Sequence, residues 1–224
     1  MQKLKVRVLR LCFLKMINYV YVGIDMVSKK AFVVDPAWDL EAIQGCLDEE
    51  EAVLVGIFVT HSHVDHVNLV RKLSERYNVP VYMSKIEANY YQYSCENLRC
   101  FFDEDIVQIG ELEVQCLLTP GHSKGSACFL VENCCFTGDT IFIEGCGLCQ
   151  LPGGSAEDMF ETFQRLKTLL WDEVLIYPGH RYGMEVGQPL WLVRRHNIYF
   201  GITNKEEFVK FRNRGNIKGT FSFK

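Results

Sequence analysis

Lys3, Lys5 and Arg7 alternate with Leu4, Val6 and Val8 at the start of the chain, the two-residue period of a strand with one buried face. Basic residues near an N-terminus also open secretory leaders. Here they interleave with the apolar ones and no small-residue cleavage site follows, so residues 1–17 read as a first strand. Residues 19–23 and 30–34, rich in β-branched and aromatic side chains, predict two more strands joined by a polar turn. Asp39 suits a helix N-cap for a helix running to about Leu47. Residues 52–60 form a nearly continuous apolar run, as in a strand buried on both faces. The pattern then predicts a helix over 67–77, a strand over 79–83, a helix over 86–93, and a strand-rich stretch from 106 to 139 broken at Pro120-Gly121. Residues 155–158 form a capping box for a helix to about Leu170, and 174–177 are a short buried strand. Helices near 189–198 and from Thr203 onward close the chain. Strands and helices followed by strands and helices again suit a sheet sandwich flanked by helices.

Composition narrows the class. The 224 residues are 48% hydrophobic and carry a net charge of −4, enough for one domain with a core and a cleft. No apolar run reaches the ~18–20 residues of a membrane helix, so no membrane association is expected. Mild acidity argues against nucleic acid as a partner. The charge is unevenly placed: residues 194–224 sum to +6 and residues 1–193 to −10. The expected division is a body over 1–195 with a short basic C-terminal extension, 196–224, packed on it. Ten cysteines scattered among hydrophobic stretches, without a leader, point to reduced thiols and a cytoplasmic location.

Candidate chemistry lies at predicted strand ends. Five of the six histidines fall there: His61, His63 and His66 within six residues, then His122 and His180. His61 and His63 project to one side of an extended segment, and the following turn brings up Asp65 and His66. His122, Asp139 and His180 each follow a glycine that permits a sharp turn after a strand. Imidazole with carboxylate suits zinc, iron or manganese, and the set is large enough for two ions sharing a bridging carboxylate and a water. His196 lacks this context and reads as structural. Cys146 and Cys149 follow a strand rather than opening a helix, which favours core packing over thiol chemistry.

These residues resemble the metallo-β-lactamase superfamily, whose His-x-His-x-Asp-His signature stands here at His61, His63, Asp65 and His66. Pro120-Gly-His122, Gly138-Asp139 and Pro178-Gly-His180 follow in matching order. Residues 137–147 and Leu151-Pro-Gly-Gly154 resemble the glyoxalase II branch. The full chain resembles the glyoxalase II-like zinc hydrolases found with bacterial polyketide synthases, including Asn197-Ile-Tyr-Phe200 and Phe208-Val-Lys-Phe-Arg212 near its end.

The resemblance implies an α/β fold, the four-layer αββα sandwich, with the site at one edge between the sheets. It implies two zinc ions per chain, iron or manganese being the other candidates. His61, His63 and His122 would hold one metal, Asp65, His66 and His180 the other, with Asp139 bridging. Asp65 and Asp139 would also position the nucleophile, a metal-bound hydroxide attacking a thioester. Asp35 falls where the family often has a carboxylate orienting a ligand imidazole, and reads equally as a strand-terminating turn residue. After Gly145-Cys-Gly147, glutathione-thioester hydrolases carry a basic residue, whereas this chain has Leu148. Losing such a charge-assisted contact costs about 1.5–3 kcal/mol. An acyl group on the phosphopantetheine of an acyl carrier protein is therefore the favoured substrate, with Leu148 against the acyl chain and the basic extension steering an acidic carrier. The alternatives are a glutathione thioester hydrolase, a persulfide dioxygenase-like enzyme with one iron on His61, His122 and Asp139, and a carrier-binding partner in which metal only stabilises the fold.

Overall fold

Twelve strands and eight helices are found in the computed structural model, which describes residues 3–214; the remainder of the basic extension, 215–224, lies outside the described residues. The first sheet runs in the order β1 (Leu4–Phe13), β2 (Met16–Asp25), β3 (Lys30–Val34), β4 (Val53–Phe58), β5 (Val81–Ser84), β6 (Leu98–Phe101). The second runs β12 (Gln188–Pro189), β11 (Leu175–Pro178), β10 (Cys134–Gly138), β9 (Ala127–Val131), β8 (Leu112–Leu118), β7 (Ile106–Ile109). Helices α1 (Leu40–Glu49), α2 (Val64–Val67), α3 (Val70–Tyr77) and α4 (Lys85–Tyr90) arise between strands of the first sheet. Helices α5 (Ala156–Leu169), α6 (Leu190–His196), α7 (Ile198–Gly201) and α8 (Lys205–Arg212) accompany the second.

Side-chain alternation along the strands sorts the core into three layers. On β2, Val20, Val22 and Ile24 pack toward Leu40, Ile43 and Leu47 of α1, while Tyr19 and Tyr21 turn the other way. Those tyrosines join Phe32, Phe58, Phe129 and Phe136 in the apolar layer between the sheets. On β9, Phe129 faces that layer, whereas Cys128 and Leu130 face Met159 and Phe163 of α5. Tyr199, Phe200 and Phe208 from α7 and α8 pack in the same outer layer as α5. The result is the expected αββα sandwich.

Several expected elements shift. The helix expected over 67–77 is two, because the loop after β3 docks at the break: Leu69 N–H donates to Pro36 O at 3.2 Å and Trp38 N–H to Asn68 Oδ1 at 2.9 Å. β4 ends at Phe58, two residues before Thr60. β6 has no apolar alternation to reveal it and exists because it pairs with β5. The last helix is capped by Asn204, whose side chain accepts from Glu207 N–H, rather than by Thr203. Asp39 and Ser155 cap α1 and α5 as their sequence contexts suggest. All ten cysteines are free, and among the described residues no helix is long and apolar enough to cross a membrane.

Candidate metal centre

The histidine-bearing segments meet at one edge of the sandwich, where β4, β10 and β11 run parallel to neighbouring strands and end in loops. His61 and His63 lie in the extended stretch after β4, and His63 is the N-cap position of the short helix α2, which carries Asp65 and His66. His122 follows β8, Asp139 comes directly after β10 and His180 follows β11. Glycine precedes each of the last three for two different reasons. Gly138 adopts φ +48°, a left-handed conformation. Gly179 is needed for space, since a Cβ there would sit 2.5 Å from the His66 ring and 2.8 Å from Asp139 Oδ1.

Hydrogen bonds around the imidazoles fix which nitrogen faces inward. His122 Nδ1 lies 2.7 Å from Leu148 O and His180 Nδ1 lies 2.7 Å from Ile17 O. A carbonyl only accepts, so both Nδ1 atoms carry the proton and both Nε2 atoms present lone pairs in the neutral rings. His66 Nδ1 donates to Asp35 Oδ2 at 2.8 Å. Thr60 Oγ1 donates to that same oxygen at 2.6 Å and so accepts from His61 Nδ1 at 3.0 Å. Asp35, itself at φ +49°, also accepts from Thr60 N–H and thereby orients two rings.

The inward atoms form two groups: His61, His63 and His122, and Asp65, His66 and His180, the donor atoms of each lying within 4.8 Å of one another. A third combination, Asp35 with His61 and His66, is equally close, but Asp35 already accepts three hydrogen bonds. Asp139 stands between the two groups. Its Oδ2 is 3.6 Å from His122 Nε2, and its Oδ1 is 3.5 Å from His66 Nε2 and 3.6 Å from His180 Nε2. Asp65 Oδ2 is 3.2 Å from His180 Nε2 and 3.5 Å from His66 Nε2. Ligands about 2.0–2.1 Å from a tetrahedral ion are separated by roughly 3.3–3.4 Å, so the spacing fits divalent metal. Buried atoms without a hydrogen-bond partner make the same case: His61 Nε2, His66 Nε2 and Asp139 Oδ1 all face the interior of the cluster.

Electrostatics divide the groups. Burial pushes His61 well below its ordinary value and His122 down to about 4, and it lowers His63 as well, so the first group is neutral imidazole. Burial also opposes charge on His66, but Asp65, Asp35 and Asp139 outweigh it and raise that ring to about 10. His180 is raised against burial by Asp139 and Asp65. Asp65 falls well below the carboxylate range despite burial, through His66 and His180. The second group calls for positive charge, which a divalent cation supplies in place of protons.

Three further residues stand at the centre without a site role assigned to them by the sequence pattern. Asn18 donates to Asp65 Oδ2 at 3.1 Å and accepts from Trp38 Nε1 at 2.8 Å. Its only sequence signal is a polar residue interrupting an apolar strand. Fully buried Glu87 accepts from Ser62 N–H and Oγ–H, each at 2.8 Å, and from Ser123 Oγ–H at 2.8 Å and Gly125 N–H at 2.9 Å. It clamps the His61–His63 segment to the loop bearing His122. Arg212 of α8 lines the cavity above the cluster.

That cavity, about 460 Å³, has His63, Asp65, His122, Asp139 and His180 in its wall, together with apolar Met16, Phe142, Leu148 and Leu151. Leu148 thus contributes its carbonyl to His122 and lies in the cavity lining. Cys146 and Cys149 are buried in the core with their thiols raised, Cys149 to about 11, as packing residues. Part of the C-terminal basic charge already has partners within the chain: Arg194 donates to Lys167 O and Leu170 O, and Lys205 pairs with Glu161 at the surface.

Removing the carboxylate that orients His66 and, through Thr60, His61 is expected to weaken metal binding. Asp35→Ala should lower metal affinity about 10–100-fold, as loss of a partner behind a metal-ligating ring does. Competition with a chromogenic chelator measures it, and wild-type affinity in the variant would contradict the orienting role.

A two-sheet sandwich with this histidine and aspartate cluster at one edge defines a class of metalloenzymes, and the sequence profile of the Metallo-beta-lactamase superfamily matches residues 14–180. The chain belongs to that superfamily and stands among its hydrolases. It is 50% identical over 207 residues to the probable polyketide biosynthesis zinc-dependent hydrolase PksB of Bacillus subtilis, covering 92% of each chain. It is 30% identical to the cytoplasmic hydroxyacylglutathione hydrolase of Saccharomyces cerevisiae, over 74% of this chain and 64% of that one. The crystal structure of ETHE1 from Myxococcus xanthus superposes with a TM-score of 0.83 at 29% identity, covering 94% of this chain and 92% of the other.

Proposed function

We propose that this protein is a binuclear zinc hydrolase that cleaves a thioester, an acyl group carried by an acyl carrier protein in polyketide biosynthesis. The observation that carries this reading is the convergence of two donor triads on Asp139 at the wall of a largely apolar cavity. The assignment of a polyketide setting rests on similarity to PksB and to the related BaeB of Bacillus velezensis, 45% identical.

His61, His63 and His122 would hold one ion and Asp65, His66 and His180 the other, with Asp139 shared. Two ions so bound supply a water acidified from 15.7 toward ~7 and an electrophile for the carbonyl oxygen. The protein's own residues do the rest. Asp65 and Asp139 accept hydrogen bonds from the attacking water and set its approach. Asp35, Ile17 O and Leu148 O lock the ring tautomers, so the site needs no reorganisation. Met16, Phe142, Leu148 and Leu151 exclude solvent from the acyl chain. A thiolate leaving group, with an ordinary pKa near ~8.5, needs no general acid.

The test combines metal content with hydrolysis of acetyl carrier protein, an acetyl-pantetheine mimic, an acyl-glutathione and a β-lactam. The expected result is about two zinc ions per chain, the carrier-protein thioester cleaved fastest, and loss of activity on chelation that zinc restores. If the basic extension steers the carrier, kcat/KM for the carrier substrate falls with ionic strength while that for the small mimic does not. About one iron per chain with no thioesterase activity would overturn the proposal in favour of oxygen-dependent sulfur chemistry.

A further inference from the structure

Arg212, in the last turn of α8, is only 9% exposed, yet it lines the cavity that holds His63, His122, Asp139 and His180. Its Nη1 donates to Tyr199 Oη at 3.1 Å, while its buried Nε has no hydrogen-bond partner. Among the described residues no carboxylate lies within ion-pairing distance of it. The titratable groups around it are Cys146, Cys149, Tyr199 and, across the same cavity, Tyr182, and burial keeps all four neutral, Cys149 at about 11 and both tyrosines at about 12. A guanidinium does not shed its proton at any ordinary pH. Taking it out of water without an anion is costly, and such groups are retained where an anion completes them.

We propose that Arg212 is the anion-recognising residue of the cavity, and that the thioester cleaved there bears a carboxylate. This rests on the thioesterase reading above. The planar guanidinium pairs with a carboxylate through parallel N–H donors, and Tyr199, by holding Nη1, fixes the plane of that fork. The walls beside it, Phe142, Leu148 and Leu151, would take the hydrocarbon between the carboxylate and the scissile carbonyl. The carboxylate has two sources, the acyl group or the thiol, and paired substrates separate them.

The acyl arm compares succinyl- with butyryl-N-acetylcysteamine. The thiol arm compares S-acetyl-3-mercaptopropionate with S-acetyl-N-acetylcysteamine. In one arm, Arg212→Met is expected to lower the ratio of kcat/KM for the charged over the uncharged substrate by about 10- to 100-fold. A purely structural role would lower both substrates together and leave the ratio alone, and an unchanged ratio in both arms overturns the proposal. Calorimetric titration of the zinc-loaded protein with succinate and butyrate gives a readout independent of turnover. Succinate is expected to bind more tightly, with the difference removed in Arg212→Met. If no thioester is cleaved but this difference in binding depends on Arg212, the hydrolase reading falls and the anion site stands. If uncharged thioesters are cleaved and neither ratio nor binding depends on Arg212, the reverse holds. Should Arg212→Met fail to fold, Arg212→Lys keeps the charge without the fork, and its preference for succinate is expected to fall about 3- to 10-fold; an unaltered preference again overturns the assignment.

Discussion

Asp139→Ala is expected to lower thioester kcat/KM by at least ~10³-fold and to leave fewer than two metals per chain. Among the described residues Asp139 is the one carboxylate with an oxygen toward each triad, 3.6 Å from His122 Nε2 on one side and 3.5 Å from His66 Nε2 on the other. Without it, five imidazoles share a small volume with Asp65 as the remaining inward carboxylate, and two dications would repel without an anion between them. Asp139→Asn separates shape from charge: it keeps the volume and should still lose most of the activity. Metal analysis with the thioester assay checks both. Two tightly held ions with near wild-type turnover in either variant would sink the bridging role.

The largest effect on stability is expected at Glu87. Its carboxylate is fully buried and accepts four hydrogen bonds, two from Ser62 and one each from Ser123 and Gly125. Glu87→Ala would strand those donors in a space closed to bulk water, a loss of about 3–5 kcal/mol by analogy with breaking a buried charge network. For a chain of this size that corresponds to a fall in Tm of roughly 6–20 °C. Glu87→Gln keeps the shape but turns an NH2 toward donors, and should lie between the two. Melting curves with and without chelator measure the loss. A change below ~1 kcal/mol in Glu87→Ala would mean the two histidine loops are held by other contacts.

The contrast between Asp139 and Glu87 shows what was legible in the sequence. Asp139 and the five histidines stand at strand ends with fixed spacing, and chemistry of that kind leaves a local pattern. So do period-two strands and the caps at Asp39 and Ser155. The local signature of Glu87 is that of a helix start, Ser84-x-x-Glu87 with Ser84 as the N-cap, and a glutamate in a first turn is usually solvated. Only the docking of α4 between two loops makes it the centre of a network. Arg212 closes the Phe208-Val-Lys-Phe-Arg212 motif, but nothing local separates it from the other basic residues of the extension; the fold buries it, holds Arg194 on backbone carbonyls and pairs Lys205 with Glu161 at the surface. The break between α2 and α3 was hidden for a similar reason, since its cause, the segment around Pro36 and Trp38, lies about 30 residues earlier.

The contact between His180 Nδ1 and Ile17 O joins positions 163 residues apart, and Tyr21 Oη–H to Pro178 O and Tyr19 N–H to Gly179 O run beside it. The first hairpin is therefore fastened to the last histidine loop across both sheets. Closing so long a loop is slow and entropically demanding, and its return comes only when the sandwich is complete. A chain still being synthesised has the first triad by residue 122, but it completes the second only when residue 180 has emerged and found its partner in β2. Metal competence is thus acquired late, with global closure, so metal uptake during refolding should track formation of the native tertiary structure rather than precede it.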